Sequence, residues 1–189
     1  MSVLSHPRHP VVDMALTLAK RWCDGHEIDG APALTHAIEV ATTLLKYEPD
    51  ASPQLVAAVL LHDSPEFSEP YVESPLDLDA FLEGVFGPRV PMVVRALERE
   101  HNAMDEPAQG FPADRDTLLL SAADKIVSLG SILARAQLTE DQRGYWAVRQ
   151  PFLDAVPYFR RFFTHAAPSL PVEMARELGG LVSTAERMR

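Results

Sequence analysis

Residues 53–61 read PQLVAAVLL, a run that is apolar on nearly every side when wound as a helix. Such a helix has to be enclosed by others, so the rest of the chain must fold around it. Ser52 is a favourable N-cap for this helix, and Pro53 suits its first position. The helix is expected to run on through His62 and Asp63, so two strongly polar groups end the most hydrophobic stretch of the chain. Burying such groups without partners costs about 2–7 kcal/mol each. Something must satisfy them.

The remaining pattern predicts an all-α, single-domain helical bundle over residues 1–189, with a core of about 11–165 and a C-terminal helix over 171–188. A first helix is expected from Val11 to Cys23, with Val12, Ala15, Leu16 and Ala19 on one face. The segment DGHEIDGAPA breaks it, and a second helix follows from Leu34 to Lys46 with His36 in its first turn. The stretch SPEFSEPYVESP is too rich in proline and serine to stay regular. Shorter helices are expected over LDAFLEGVF, stopped by Gly87-Pro88, and from Pro88 to Arg99. A long helix spans Asp116–Leu138, and Thr139 with Gln142 reads as a capping box for the next. That next helix spans about Glu140–His165, kinked at Pro151 or Pro157, and no segment shows strand alternation.

Composition narrows the function classes. The 17 Lys+Arg against 27 Asp+Glu give a net charge of −10, which repels nucleic acid and repels a small phosphate ester too, unless a local cation overrides the field. Cys23 is the only cysteine, so neither an intramolecular disulfide nor a cysteine-rich zinc site is available. The polar, proline-broken start MSVLSHPRHP is unlike a signal peptide, and no apolar run approaches the roughly 20 residues of a membrane span. A soluble cytoplasmic protein without membrane or nucleic-acid partners is the expectation; nothing in the sequence fixes its oligomeric state.

A His-acid dipeptide alone is weak, because this composition supplies roughly one by chance, and His26-Glu27 is an example. The plainer reading of His62-Asp63 is a helix-end histidine bonded to a carbonyl, with Asp63 capping the next segment. Its context adds weight to a metal site. His36 opens a helix, and Asp124 interrupts the apolar face of LLLSAADKIVSLGSIL. Two imidazole nitrogens and two carboxylates suit a divalent first-row ion, Mn²⁺ foremost, with Fe²⁺, Co²⁺ or Zn²⁺ as alternatives. Such an ion activates water and polarises a phosphoryl oxygen. Glu66, three residues past Asp63, is a candidate for positioning water or relaying a proton, or else an ordinary surface acid like Glu69 and Glu73. Lys125 would offset charge on a small phosphorylated nucleotide-like substrate, or pair with a carboxylate.

Spaced as THAIEV, LLHDSPE and SAADKIVSL, these residues resemble the HD-domain metal-dependent phosphohydrolases, and most of all the hydrolase domain of RelA/SpoT-type (p)ppGpp hydrolases. The similarity covers roughly Val11 to Phe163 and includes DLDAFLEGVFGPRV. It implies His36, His62, Asp63 and Asp124 as metal ligands and Glu66 as the glutamate that works on the nucleophilic water. Three changes at four positions depart from the family: Phe67 replaces the second catalytic acid, Glu27 and Ile28 replace basic residues before the first His motif, and Ser128 replaces an asparagine. These departures admit two alternatives, an HD-type nucleotide 5′-phosphatase and a nucleotide-sensing module with weakened turnover. His6, His9, His101 and His165 have no partner at ligand spacing and read as exposed or helix-end residues. The stripe carrying Arg143, Arg149, Arg160 and Arg161 among aromatics reads as core packing with a solvated basic face, rather than a nucleotide-stacking surface.

Overall fold

Ser52 accepts a hydrogen bond from the Leu55 amide at 3.2 Å, and with Pro53 next to it this starts the apolar helix where the sequence says it should. A computed structural model describes residues 8–28, 30–68, 75–102 and 110–189. The described residues are almost wholly helical, so the all-α expectation holds. The chain divides into two compact units, Met1–Asn102 and Ala103–Arg189.

The first unit contains α1 (Pro10–Trp22), a hairpin of β1 (Glu27–Ile28) and β2 (Ala31–Pro32), α2 (Ala33–Tyr47), α3 (Pro53–Leu60), α4 (Ser64–Phe67), α5 (Pro75–Phe86) and α6 (Arg89–Asn102). The central helix is α3, which packs against α1, α2 and α6, and every residue from Leu55 to Leu60 is buried. Each fully buried leucine or valine there contributes about 1.5–3 kcal/mol. The hairpin was not anticipated. It pairs Glu27 with Pro32 and Ile28 with Ala31, too short for alternation to register, and Gly30 at φ +76° supplies the left-handed turn residue.

One boundary bears directly on function: α3 ends at Leu60, not at Asp63. In an unbroken helix the Pro65 ring would clash with the Leu61 carbonyl and offer it no N–H. The chain therefore turns through Leu61, His62 and Asp63, and α4 begins at Ser64 with proline in its first turn. The segment SPEFSEPYVESP, expected to be irregular, opens with this helical turn; residues 69–74, among them Glu69 and Glu73, lie outside the described residues, as does His6.

The second unit contains α7 (Arg115–Leu138), α8 (Gln142–Ala147), α9 (Gln150–Ala166), a 3₁₀ turn (Ala167–Ser169) and α10 (Val172–Met188). Asp114 caps α7 by accepting from the Thr117 amide at 3.0 Å. Asp141, not Thr139, caps α8, accepting from Gly144 N at 2.8 Å, while the Gln142 amide turns back to the Thr139 carbonyl at 3.2 Å. The expected kinked helix is two helices, because a continuous one would set the Pro151 ring against the Ala147 carbonyl, where α8 stops. Pro157 is carried inside α9. Helix α10 packs on α7 and α9, with Phe163 so close to Gly179 that a Cβ there would stand 2.8 Å from the ring. At 24 residues, one more than expected, α7 is the one described helix long and apolar enough to cross a membrane, against the expectation that no apolar run approaches that length. Its apolar window is 72% buried, and it carries Asp124 and Lys125 at its centre, as a core helix does.

Candidate metal centre

The Pro65-enforced break decides where His62 points. Its side chain is fully buried, and Nδ1 donates to the Val59 carbonyl at 2.7 Å, the last turn of α3 acting as the acceptor. A carbonyl only accepts, so the proton of a neutral ring is on Nδ1 and Nε2 presents its lone pair. This is the outer-shell arrangement that orients metal-binding histidines. His36, buried in the first turn of α2, lies beside it with ring centroids 5.3 Å apart and one ring nitrogen of each within 4.8 Å.

Asp63 completes the arrangement in the first unit. It occupies the N-cap position of α4 yet makes no side-chain capping bond, which removes the plainer reading of this residue. Its Oδ2 stands 3.3 Å from His62 Nε2. The approach is an ion-pair distance without hydrogen-bond alignment, and Oδ2 is buried with no hydrogen bond among the described residues. A carboxylate facing an imidazole lone pair is unfavourable unless a positive charge lies between them or the ring is protonated. Two donor atoms about 2.0–2.2 Å from one cation stand roughly 3 Å apart, so this spacing suits a divalent ion held by both. The donor set therefore fits a metal.

Asp124 sits on α7 of the second unit, buried, with the Ser128 hydroxyl donating to its Oδ1 at 3.4 Å. Ser128, which replaces an asparagine of the resembled family, thus touches the aspartate one turn before it. Lys125 is buried as well: Nζ donates to Ser121 Oγ at 3.0 Å and lies 4.6 Å from the Phe162 ring centroid and 5.5 Å from that of Tyr158. Its cation is held by rings and a hydroxyl.

Glu66 is exposed on α4. Phe67, next to it, turns into the core at 5% exposure, and the exposed His26 ring stacks over it at 4.5 Å with 23° between planes. A position that is acidic in the resembled family has become structural here. His26 also lines an open groove of about 310 Å³ with Lys20, Asp24 and Glu27.

His101 is a helix-end residue as expected, with a ring contact that no local spacing signals. It lies in the last turn of α6, and its ring meets that of His62 edge-on, centroids 6.4 Å apart. The signal was weak, because α6 reaches the site from 39 residues beyond His62 and no local spacing links them. His9 caps α1 by accepting from Val11 N, and His165 bonds the Pro112 carbonyl, both helix-end roles as expected. The late aromatic stripe is core: Tyr158, Phe159 and Phe162 are buried, and Arg160 pairs across to Glu186 and Ser183 on α10. Glu186 is thereby held below the usual carboxylate range by the Arg160 hydrogen bond.

No family model and no curated protein matches the sequence. Among solved structures the chain is similar to a metazoan ortholog of SpoT, described as hydrolyzing ppGpp and playing a role in starvation responses, with a TM-score of 0.65 and 18% identity over 96% of this chain and 99% of that one. With nearly the whole length of both chains superposed, the protein has the all-helical fold of that SpoT ortholog.

Proposed function

We propose that this protein is an HD-type metal-dependent phosphohydrolase that cleaves a phosphate or pyrophosphate ester of a nucleotide-like substrate, with residues 1–189 acting as one hydrolase domain. His36, His62 and Asp63 of the first unit and Asp124 of the second are the assigned ligands. The observation that carries this reading is the buried His62–Asp63 donor pair beside His36, with the His62 tautomer fixed by Val59. Asp124 enters through the sequence pattern and its burial on an apolar helix.

A divalent ion, Mn²⁺ in the first instance, supplies Lewis acidity toward a phosphoryl oxygen and makes water a better nucleophile near neutral pH. The protein's own contributions follow from the residues. Val59 and the turn at Pro65 keep His62 Nε2 directed at the site. Glu66, free of the core on α4, accepts the proton of the attacking water. Lys125, a cation in a ring-lined pocket, offsets phosphate charge in a chain whose net charge is −10. The similar SpoT ortholog supports a (p)ppGpp-type substrate, and the burial of α7 as a core helix supports a soluble, cytoplasmic enzyme acting on a free nucleotide.

The second reading, a nucleotide-sensing module, is favoured by one observation: Phe67 is built into the core, which leaves a single acid on α4. The experiment that separates them incubates purified protein and Mn²⁺, Fe²⁺, Co²⁺ or Zn²⁺ with (p)ppGpp and deoxynucleoside monophosphates. Turnover of (p)ppGpp supports the hydrolase, turnover of monophosphates the 5′-phosphatase alternative, and saturable binding without product the sensing module.

A further inference from the structure

Ser64 opens α4 directly after Asp63, is 3% exposed, and its Oγ makes no hydrogen bond among the described residues. A hydroxyl carries one donor and two acceptor sites, and a buried one is normally satisfied by protein or by ordered water. Against Ser64 lies a cavity of about 10 Å³ lined by residues with hydrocarbon or aromatic side chains, Trp22 and Phe67 among them, and by three with polar ones, Cys23, Asp63 and Ser64. One water molecule needs roughly 10–15 Å³ of such space and two to four polar partners. The cavity meets the lower volume limit and offers three partners: a carboxylate, a hydroxyl and a weakly donating thiol.

We infer that this cavity holds one buried water linking Ser64 Oγ, the Cys23 thiol and the Asp63 carboxylate, and that Ser64 is thereby a positioning residue for Asp63. The water donates to the carboxylate and to Ser64 Oγ and accepts from the Cys23 S–H. It braces the Asp63 carboxylate, and does for it what the Val59 carbonyl does for His62. In this way both members of the pair are oriented by groups that do not themselves face the ion. The inference deepens the metal reading and rests on it for its consequence, though not for the water itself.

Two measurements on the full chain test it. A high-resolution crystal structure of the wild type should show a single water in the cavity, within hydrogen-bond distance of Ser64 Oγ. In a Mn²⁺ titration, Ser64→Ala should bind about 10- to 100-fold more weakly, the usual cost of losing an outer-shell partner, with an unchanged circular dichroism spectrum. Ser64→Thr, which keeps the hydroxyl, should restore most of the affinity. An empty cavity overturns the inference, as does wild-type affinity in Ser64→Ala or a Ser64→Thr variant as weak as Ser64→Ala. Wild-type protein that binds no Mn²⁺ contradicts the metal reading instead, and the electron density alone then decides the water.

Discussion

His62 Nε2 and Asp63 Oδ2 stand 3.3 Å apart in the turn between α3 and α4, both buried and not aligned for a hydrogen bond. With the His62 proton committed to Val59, the pair presents two acceptors to one point. Its geometry depends on Pro65, which ends the helix where it does, and on the Val59 carbonyl, which holds the His62 ring.

Restoring the acid at position 67 should cost fold and not gain activity. Phe67 is 5% exposed and stacked under His26, so Phe67→Asp removes a ring from the core and buries a carboxylate in its place. The expected loss is about 3–5 kcal/mol in urea unfolding. A variant as stable as the wild type would show that the position tolerates charge and is not structural.

His101→Ala should weaken metal binding by up to about tenfold through looser packing of His62, while the unfolding free energy stays within about 1 kcal/mol of wild type. Calorimetric Mn²⁺ titration beside urea unfolding reads both. Unchanged affinity would mean that the 6.4 Å ring contact is incidental.

Lys125 offers a separation of packing from charge. Lys125→Ala empties a buried position between Phe162 and Tyr158 and should cost about 2–4 kcal/mol. Lys125→Met refills much of that volume and should recover most of the stability. If the ammonium also offsets phosphate charge, KM for the nucleotide stays raised in Lys125→Met; a wild-type KM would confine the residue to the core.

Burial, and next to it the charge of Asp63, push the Cys23 thiol up from 9.0 to about 11. The folded protein therefore holds this proton more tightly than the unfolded chain, and the associated stability is present below about pH 9 and is lost as pH rises toward 11. In metal-free protein, iodoacetamide should label Cys23 slowly at pH 8 and quickly once urea unfolds the chain. Fast labelling of folded protein at pH 8 would contradict the burial.

Much of this was legible in the sequence because its signals are local. Ser52-Pro53 and the apolar run after them mark α3, and the helical spacing of Val12, Ala15, Leu16 and Ala19 marks α1. His36 and His62-Asp63 stood out as polar residues in apolar surroundings, and the structure brings them together. The missed features are those in which a competing local rule or a distant element decides. Pro65 and Pro151 each end a helix a few residues earlier than hydrophobic periodicity suggests, since their rings act on the carbonyl four residues before. The two-residue hairpin strands are too short for alternation to appear. Phe67 was noticed as a lost acid, but its burial under His26 depends on a contact 41 residues away in the chain, and the approach of His101 to His62 is equally non-local.

The most direct test of the central claim is metal content coupled to turnover. Wild type, His62→Ala and Asp63→Ala would be purified without chelator, analysed by elemental mass spectrometry, and assayed against phosphorylated nucleotides with Mn²⁺ added back. Wild type should hold about one divalent ion per chain and hydrolyse a nucleotide, and both variants should lose metal and turnover together while remaining folded. Full hydrolysis by a metal-free Asp63→Ala protein would contradict the account.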